Sequence, residues 1–405
     1  MNYLIDSSAP WIPSPADEML LMAALAPEGT AHDAGLTWLA NVNLATQTEA
    51  THRLLPLVHD RLVRDGIDHP AMAILNGVRR KVWCRNQLLF KHAAPAIHAL
   101  RQSGIDVMLL KGVALTLNYY QDYGLRPMSD FDLMVRFRNV AAAMEILTEH
   151  GWKSEFPLQG KLRQNILKYI HAEHFVDNSG LYLDVHWHLS PLCVDPAADS
   201  AFWGDSFVVK FDSGDVRLLN PADQLLHVIV HGLTWSGMPG VRWIADSMEI
   251  IGKSTELDWN RLLFQTQERK FTLYVRSALN YLAGKFDAAV PRDVMEEMNA
   301  RPVTSHEKRE YKVYIHSPLS DPNAMQKQYY IPRSLLRLFY SYRRITRGAK
   351  LAEYKVTVIG YLCASFSRES GWQIFYHTLY KIYKRVLKSM RRLVLSSESV
   401  SLIFL

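Results

Sequence analysis

Asp130 and Asp132 stand one residue apart in the run Arg126-Pro-Met-Ser-Asp-Phe-Asp-Leu-Met-Val135. In a β-strand, residues two apart share a face. Both carboxylates therefore project one way, while Phe131, Leu133 and Val135 enter a core. Two adjacent carboxylates repel each other and are costly unless a cation sits between them. Mg²⁺ suits such a pair, because it takes one or two carboxylates and completes its shell with water and substrate phosphates. On the pair alone, the other reading is a solvated strand end with two incidental acids.

The flanking segments favour the first reading. Ile105-Asp-Val-Met-Leu-Leu-Lys-Gly112 is an apolar run of strand length ending at a glycine, and Val113-Ala-Leu-Thr-Leu-Asn-Tyr-Tyr120 reads as a helix. Strand, glycine and helix form an arrangement that can hold phosphate, with Lys111 adding positive charge. Downstream, Leu181-Tyr-Leu-Asp-Val-His-Trp-His-Leu189 alternates. Tyr182, Asp184, His186 and His188 fall on one face. The turn signal Asp177-Asn-Ser-Gly180 pairs this strand with His171-Ala-Glu-His-Phe-Val176. A third carboxylate, Asp184, beside the pair would complete a two-metal site. His186 and His188 share its face and could contact phosphate or orient a ligand. Arg126 is a guanidinium able to bind phosphate bidentately, or to pair with Asp130.

Leu110-Lys-Gly-Val-Ala114, Leu125 to Val135 and Leu183-Asp-Val-His-Trp187 resemble the uncharacterised bacterial nucleotidyltransferase family, a branch of the polymerase-beta-type superfamily. The resemblance runs from about residue 40 to about residue 270. It implies an α+β fold, mostly helical overall, in which a small mixed sheet is flanked by helical domains. It further implies two Mg²⁺ ions and transfer of a nucleoside monophosphate from an NTP to an acceptor hydroxyl. By position, Asp130 and Asp132 match the metal-bridging pair, Asp184 the third carboxylate and Gly112 the phosphate-loop glycine. Lys111, Arg126 and His186 are the accompanying nucleotide-binding candidates. The loop departs from the wider superfamily in reading Lys-Gly-Val, without the usual serine, and in its longer interval to Asp130.

Composition sets the frame. The chain has 405 residues, 48% hydrophobic and 21% charged, enough for two or three globular domains. Three isolated cysteines, Cys84, Cys193 and Cys363, point to a reducing cytoplasm, and no signal peptide is visible. Organisation reads as a helical region over 1–103, the α/β domain with its metal site over 104–215, and a helical domain over 216–300. A linker follows over 301–332, then a basic, aromatic-rich helical region over 333–405. Residues 331–405 hold 14 Lys+Arg and three acids, so the whole formal charge of +6 originates there. That region could meet RNA, an anionic membrane at the inner face, or only water. Asn220-Pro-Ala-Asp caps a helix carrying His227 and His231, four apart on one face, which read as packed residues or as facing the nucleotide. Arg242 and Asp246 are spaced to pair along a helix. The acceptor is open among small molecule, saccharide, protein and tRNA. Two rival readings are a toxin-like tRNA nucleotidyltransferase and a non-catalytic protein of the same fold that docks on a membrane or partner.

Overall fold

A computed structural model describes residues 11–42, 49–155, 170–194, 197–212, 214–234 and 241–315, with a few isolated positions besides. Contacts divide the chain into one unit of residues 1–156 and 172–341 and a second of 157–171 and 342–405. The second lies almost wholly outside the described residues, and with it most of the basic region at 333–405.

The first unit begins with helices α1 (Pro15–Leu25), α2 (Glu28–Asn41), α3 (Glu49–His52), α4 (Leu55–Arg64) and α5 (Ala71–Gln102). The sequence predicts one short helix at 17–26 before residue 37, and the structure has two. Ser14 caps α1 by accepting a hydrogen bond from the backbone N–H of Asp17. The apolar stripe of α5, including Leu89, Phe90, Ala93 and Ile97, is buried. Phe90 meets Phe131 edge to face, with ring centroids 5.4 Å apart. This contact places α5 behind the sheet, on the side away from the carboxylates.

Seven strands follow, in the order β3-β4-β5-β2-β1-β7-β6. They are β1 (Met108–Leu109), β2 (Asp130–Met134), β3 (Lys153–Ser154), β4 (Ala172–Val176), β5 (Tyr182–His186), β6 (Phe207–Phe211) and β7 (Gly214–Leu218). The sheet is mixed. β2 runs parallel to β5 and antiparallel to β1, and β4 and β5 form the predicted hairpin. Asp177 holds the hairpin turn by accepting from the backbone N–H groups of Ser179 and Leu181. Gly180, at φ 78°, supplies the left-handed residue of that turn. Phe131 and Leu133 are fully buried on the rear face, as their alternation requires.

Between the strands lie α6 (Lys111–Leu115), continued by a π-helical turn over Thr116–Tyr120, and then α7 (Val140–Glu149) and α8 (Ser200–Gly204). Helices α9 (Pro221–Thr234), α10 (Arg242–Lys253), α11 (Trp259–Glu268), α12 (Thr272–Phe286), α13 (Arg292–Ala300) and α14 (Ser305–Ile315) complete the unit. Asn220 caps α9 through its side-chain oxygen, 3.0 Å from the N of Asp223, and proline begins the helix as predicted. The stretch read as a linker from 301 contains α14. Its Tyr311 packs on Tyr274 with centroids 4.9 Å apart, so burial of the aromatic face holds this polar sequence helical. One hydrophobic cluster draws on residues from Ala9 to Tyr340. No described helix is long and apolar enough to cross a membrane.

Candidate active site

The parallel register sets Asp132 directly beside Asp184, with Asp130 beside Tyr182 and Met134 beside His186. Asp132, Asp184 and His186 are all buried, and each offers a ligand atom within 4.8 Å of the others. The structure thus brings two of the three predicted carboxylates together, with His186 as the third member of the closest group. Asp130 lies one pair step away on the same face, and its carboxylate accepts from the Ser129 hydroxyl at 3.1 Å. Lys111, predicted beside the glycine, reaches across to Asp132 with Nζ 2.5 Å from Oδ1. Burial works against the Lys111 charge, but Asp132, Asp184 and Asp130 outweigh it and hold its pKa above the usual value. Burial pushes the Asp184 carboxyl up and Asp132 adds to this, against the pull of His174 and Lys111. Burial and the neighbouring Asp132 likewise raise Asp130.

His174 was not singled out by the sequence, yet its Nδ1 lies 2.5 Å from Asp184 Oδ1. The hydrogen bond to Asp184 raises its pKa. Hairpin register carries the signal: counting back from the turn puts His174 opposite Asp184. His186 Nε2 lies 3.1 Å from Asp132 Oδ1, and burial, with Lys111 and His174 nearby, drives its pKa well below the ordinary value. It is therefore a neutral imidazole, the form that ligates metals. His188, in contrast, is tied to Asp199 at 2.7 Å and stacks on Phe137.

Arg126 is committed elsewhere. Its Nε and Nη2 donate to both oxygens of Asp246 at 2.8 Å, and Tyr120 Oη donates to the same carboxylate at 2.9 Å. The expected Arg242–Asp246 pair along α10 is thus replaced by this buried clamp. Gly112 owes its lack of a side chain to the same feature, since a Cβ there would collide with Arg126 Nη1 and with Met128. The guanidiniums turned toward the approach to Asp130 are instead Arg242 and Arg85. Arg242 donates to Pro127 O at 3.0 Å, and Arg85 donates to Met128 O at 3.2 Å and Ser129 O at 3.4 Å. Neither has a carboxylate partner among the described residues. Burial and the adjacent Arg126 pull Arg242 down to about 10, against the attraction of Asp246 and Asp130. Sequence reasoning missed both because their placement depends on α5 and α10 arriving from far along the chain.

His227 and His231 are neighbours on one face of α9, with ring centroids 6.0 Å apart. Lys111, His186 and Asp132 all act electrostatically on His227, and Lys111 and His186 on His231. Two buried carboxylates and a neutral imidazole form a donor set able to hold a divalent cation.

Among solved structures, the chain is similar to an antigenic nucleotidyltransferase-like protein from Paracoccidioides brasiliensis. The match has 17% identity and a TM-score of 0.30, covering 57% of this chain and 96% of that one. No curated protein matches the chain. A family model matches residues 35–287, a span that includes every strand and each site residue described above, and by that match the chain belongs to the family described as uncharacterised nucleotidyltransferase.

Proposed function

We propose that the protein transfers a nucleoside monophosphate from an NTP to an acceptor hydroxyl. The observation that carries this reading is the register of Asp132 against Asp184, with His186 within ligand distance of both. These residues would hold a divalent cation, with Asp130 adjacent as a further carboxylate. When bound, that cation supplies Lewis-acid neutralisation of charge on the phosphates. Lys111, beside Asp132, would offer its ammonium to the α-phosphate. Arg242 and Arg85, on the side from which the chain enters β2, would bind the β- and γ-phosphates as the pyrophosphate departs. In this reading the guanidinium groups would stand in for the absent loop serine as phosphate donors. His174 would keep the Asp184 carboxylate oriented. Phosphoryl transfer of this type asks the protein for position and charge, and both are present without a nucleophilic triad. Mg²⁺ suits the carboxylates; the imidazole in the set also suits Mn²⁺.

The test uses the full chain with each of the four NTPs, labelled at the α-phosphate, and Mg²⁺ or Mn²⁺. Metal-dependent nucleotide binding and pyrophosphate release are expected with at least one NTP. Asp132→Asn, which keeps volume and removes charge, should lower turnover by about a hundredfold or more in a variant that still folds by circular dichroism. The reading fails if no NTP binds in a metal-dependent way.

A further inference from the structure

Among the described residues, Lys111 is the one lysine or arginine in direct contact with the buried carboxylates. Its Nζ lies 2.5 Å from Asp132 Oδ1, and the ammonium has no second hydrogen-bond partner there. The same oxygen lies 3.1 Å from His186 Nε2. Carboxylate oxygens hold divalent cations at about 2.0–2.6 Å, so the ammonium already stands in a cation's place on Asp132. Asp132 is also a member of the group, with Asp184 and His186, whose ligand atoms lie within 4.8 Å of one another. A divalent ion shared by these three residues therefore competes with the chain's own ammonium for one carboxylate.

Three features suit this lysine to an exchange of partners. The first is a fixed root. The N–H of Leu110 donates to Asp132 O at 3.1 Å, so the backbone entering Lys111 is bonded to the residue that its side chain neutralises. The second is a left-handed backbone at φ 45°, which a residue with a Cβ rarely adopts. Gly112, the next residue, could take that conformation without steric cost, yet the turn sets the lysine there. Such a conformation persists where its surroundings enforce it, and it clusters at ligand clamps and switch segments. The third is freedom of the stem. Lys111 keeps 19% of its side chain exposed against 3% for Asp132, so the lysine has a path to solvent that the carboxylate lacks. An ammonium on a flexible stem carries three donors; one is used on Asp132, and the others remain for an anion. Arg126, held at both oxygens of Asp246, has no such freedom.

We propose that Lys111 is the resident counter-ion of the candidate cation site and sets the order of binding there. Its ammonium neutralises Asp132 until a divalent cation arrives on a triphosphate, and then passes from Asp132 to the phosphate. The inference rests on the nucleotidyl-transfer reading above and adds how cation and nucleotide are coupled at that site. Two positive charges on one carboxylate repel, more strongly where water is excluded, so a divalent cation alone meets a place already filled. A triphosphate supplies the negative charge that draws Nζ off Oδ1, and it frees the Asp132 carboxylate for the cation that it carries. Only hydrogen bonds of the ammonium are exchanged, and no proton moves. Coupling between two ligands is reciprocal. The cation must then strengthen triphosphate binding by the same factor as the triphosphate strengthens cation binding.

Mn²⁺ and inorganic tripolyphosphate are the probes, which makes the test independent of the nucleotide's base. Manganese bound to the full chain is measured by equilibrium dialysis at matched, buffered free Mn²⁺, with and without tripolyphosphate. The unsubstituted chain should bind Mn²⁺ about tenfold or more weakly when tripolyphosphate is absent. Lys111→Met, which keeps the stem and removes the charge, should bind Mn²⁺ alone about tenfold or more tightly than the unsubstituted chain, and tripolyphosphate should strengthen that binding by a smaller factor. A lysine that only supports the fold or only binds phosphate predicts unchanged or weaker binding of Mn²⁺ alone, and either result overturns the proposal. So does a gain that persists in Lys111→Met with Asp132→Asn, because that gain lies at another site. Lys111→Gln carries the same expectation if the methionine variant melts early. In the unsubstituted chain itself, equal Mn²⁺ affinity with and without tripolyphosphate also overturns it. Mn²⁺-dependent NTP binding is measured alongside. NTP binding with no gain in Lys111→Met removes the role of Lys111 alone, and loss of all Mn²⁺-dependent NTP binding removes the transfer reading and this inference with it.

Discussion

Lys111 and His227 respond to burial in opposite ways, and charge explains the difference. Three aspartates surround the ammonium and keep it protonated. Burial and the nearby Lys111 depress His227 to about 3. Because the unfolded chain would protonate this imidazole near its ordinary value of 6.5, the unfolded state binds more protons between about pH 6.5 and 3. Stability must then fall as pH drops through that window, by up to about 1.4 kcal/mol per pH unit from this one group. His186 and His231, also depressed, add to the same slope. His227→Gln should therefore lose less melting temperature between pH 7 and pH 4.5 than the parent chain, measured by calorimetry; an unchanged slope would show that His227 is not neutral for this reason. At this scale much of the site was legible. Strand periodicity put Asp130 with Asp132, and Asp184 with His186, each pair on one face of its own strand. Arg126 was misjudged because a guanidinium four residues before an acid says nothing about Asp246, 120 positions away. Arg85, Arg242 and His174 carry no local pattern that distinguishes them from other surface or strand residues.

The element that organises the centre is the segment from α6 to β2. It is fixed by contacts at a distance. Asn86 on α5 donates to Tyr123 O and Arg126 O, and Asp246 on α10 clamps Arg126. Removing Asp246 leaves a buried guanidinium uncompensated, which costs about 3–5 kcal/mol. Asp246→Ala should lower the denaturation midpoint by a corresponding amount in urea unfolding, and Asp246→Asn, which retains one acceptor, by less. A loss below about 1 kcal/mol would mean that the clamp is not structural. Elements with local signals were readable: the Asn220-Pro221 start of α9, the turn at 177–180, and the stripe of α5. Helix α14 was not. Its sequence is polar and flanked by prolines, and it is helical because Tyr311 and Tyr314 find the core formed by α12.

At the scale of the first unit, one hydrophobic cluster joins helices from both ends of the described chain. Trp11 stacks edge to face on Trp243 and Tyr281, at 5.7 and 5.5 Å. The N-terminal helices and those after the sheet therefore share a single interior, which no local pattern could reveal. Most of the basic region lies outside the described residues. Without residues 331–405 the chain passes from +6 to net acidic. If that region is an electrostatic anchor, the full chain should bind tRNA or anionic vesicles with an affinity that falls steeply as salt rises. A chain of residues 1–330 should not bind. Equal binding by both would mark the charge as a solvated surface. The Arg126–Asp246 clamp has a consequence for motion as well. It joins the approach to β2 directly to α10, so the two cannot swing apart without exposing a broken buried ion pair. At about 3 kcal/mol or more, such an opened state would be populated below about one part in a hundred. Breathing of the molecule around an arriving nucleotide must then pass through other hinges, while β2 and α10 tumble as one rigid piece. Amide exchange along both should accordingly be slow and equally so.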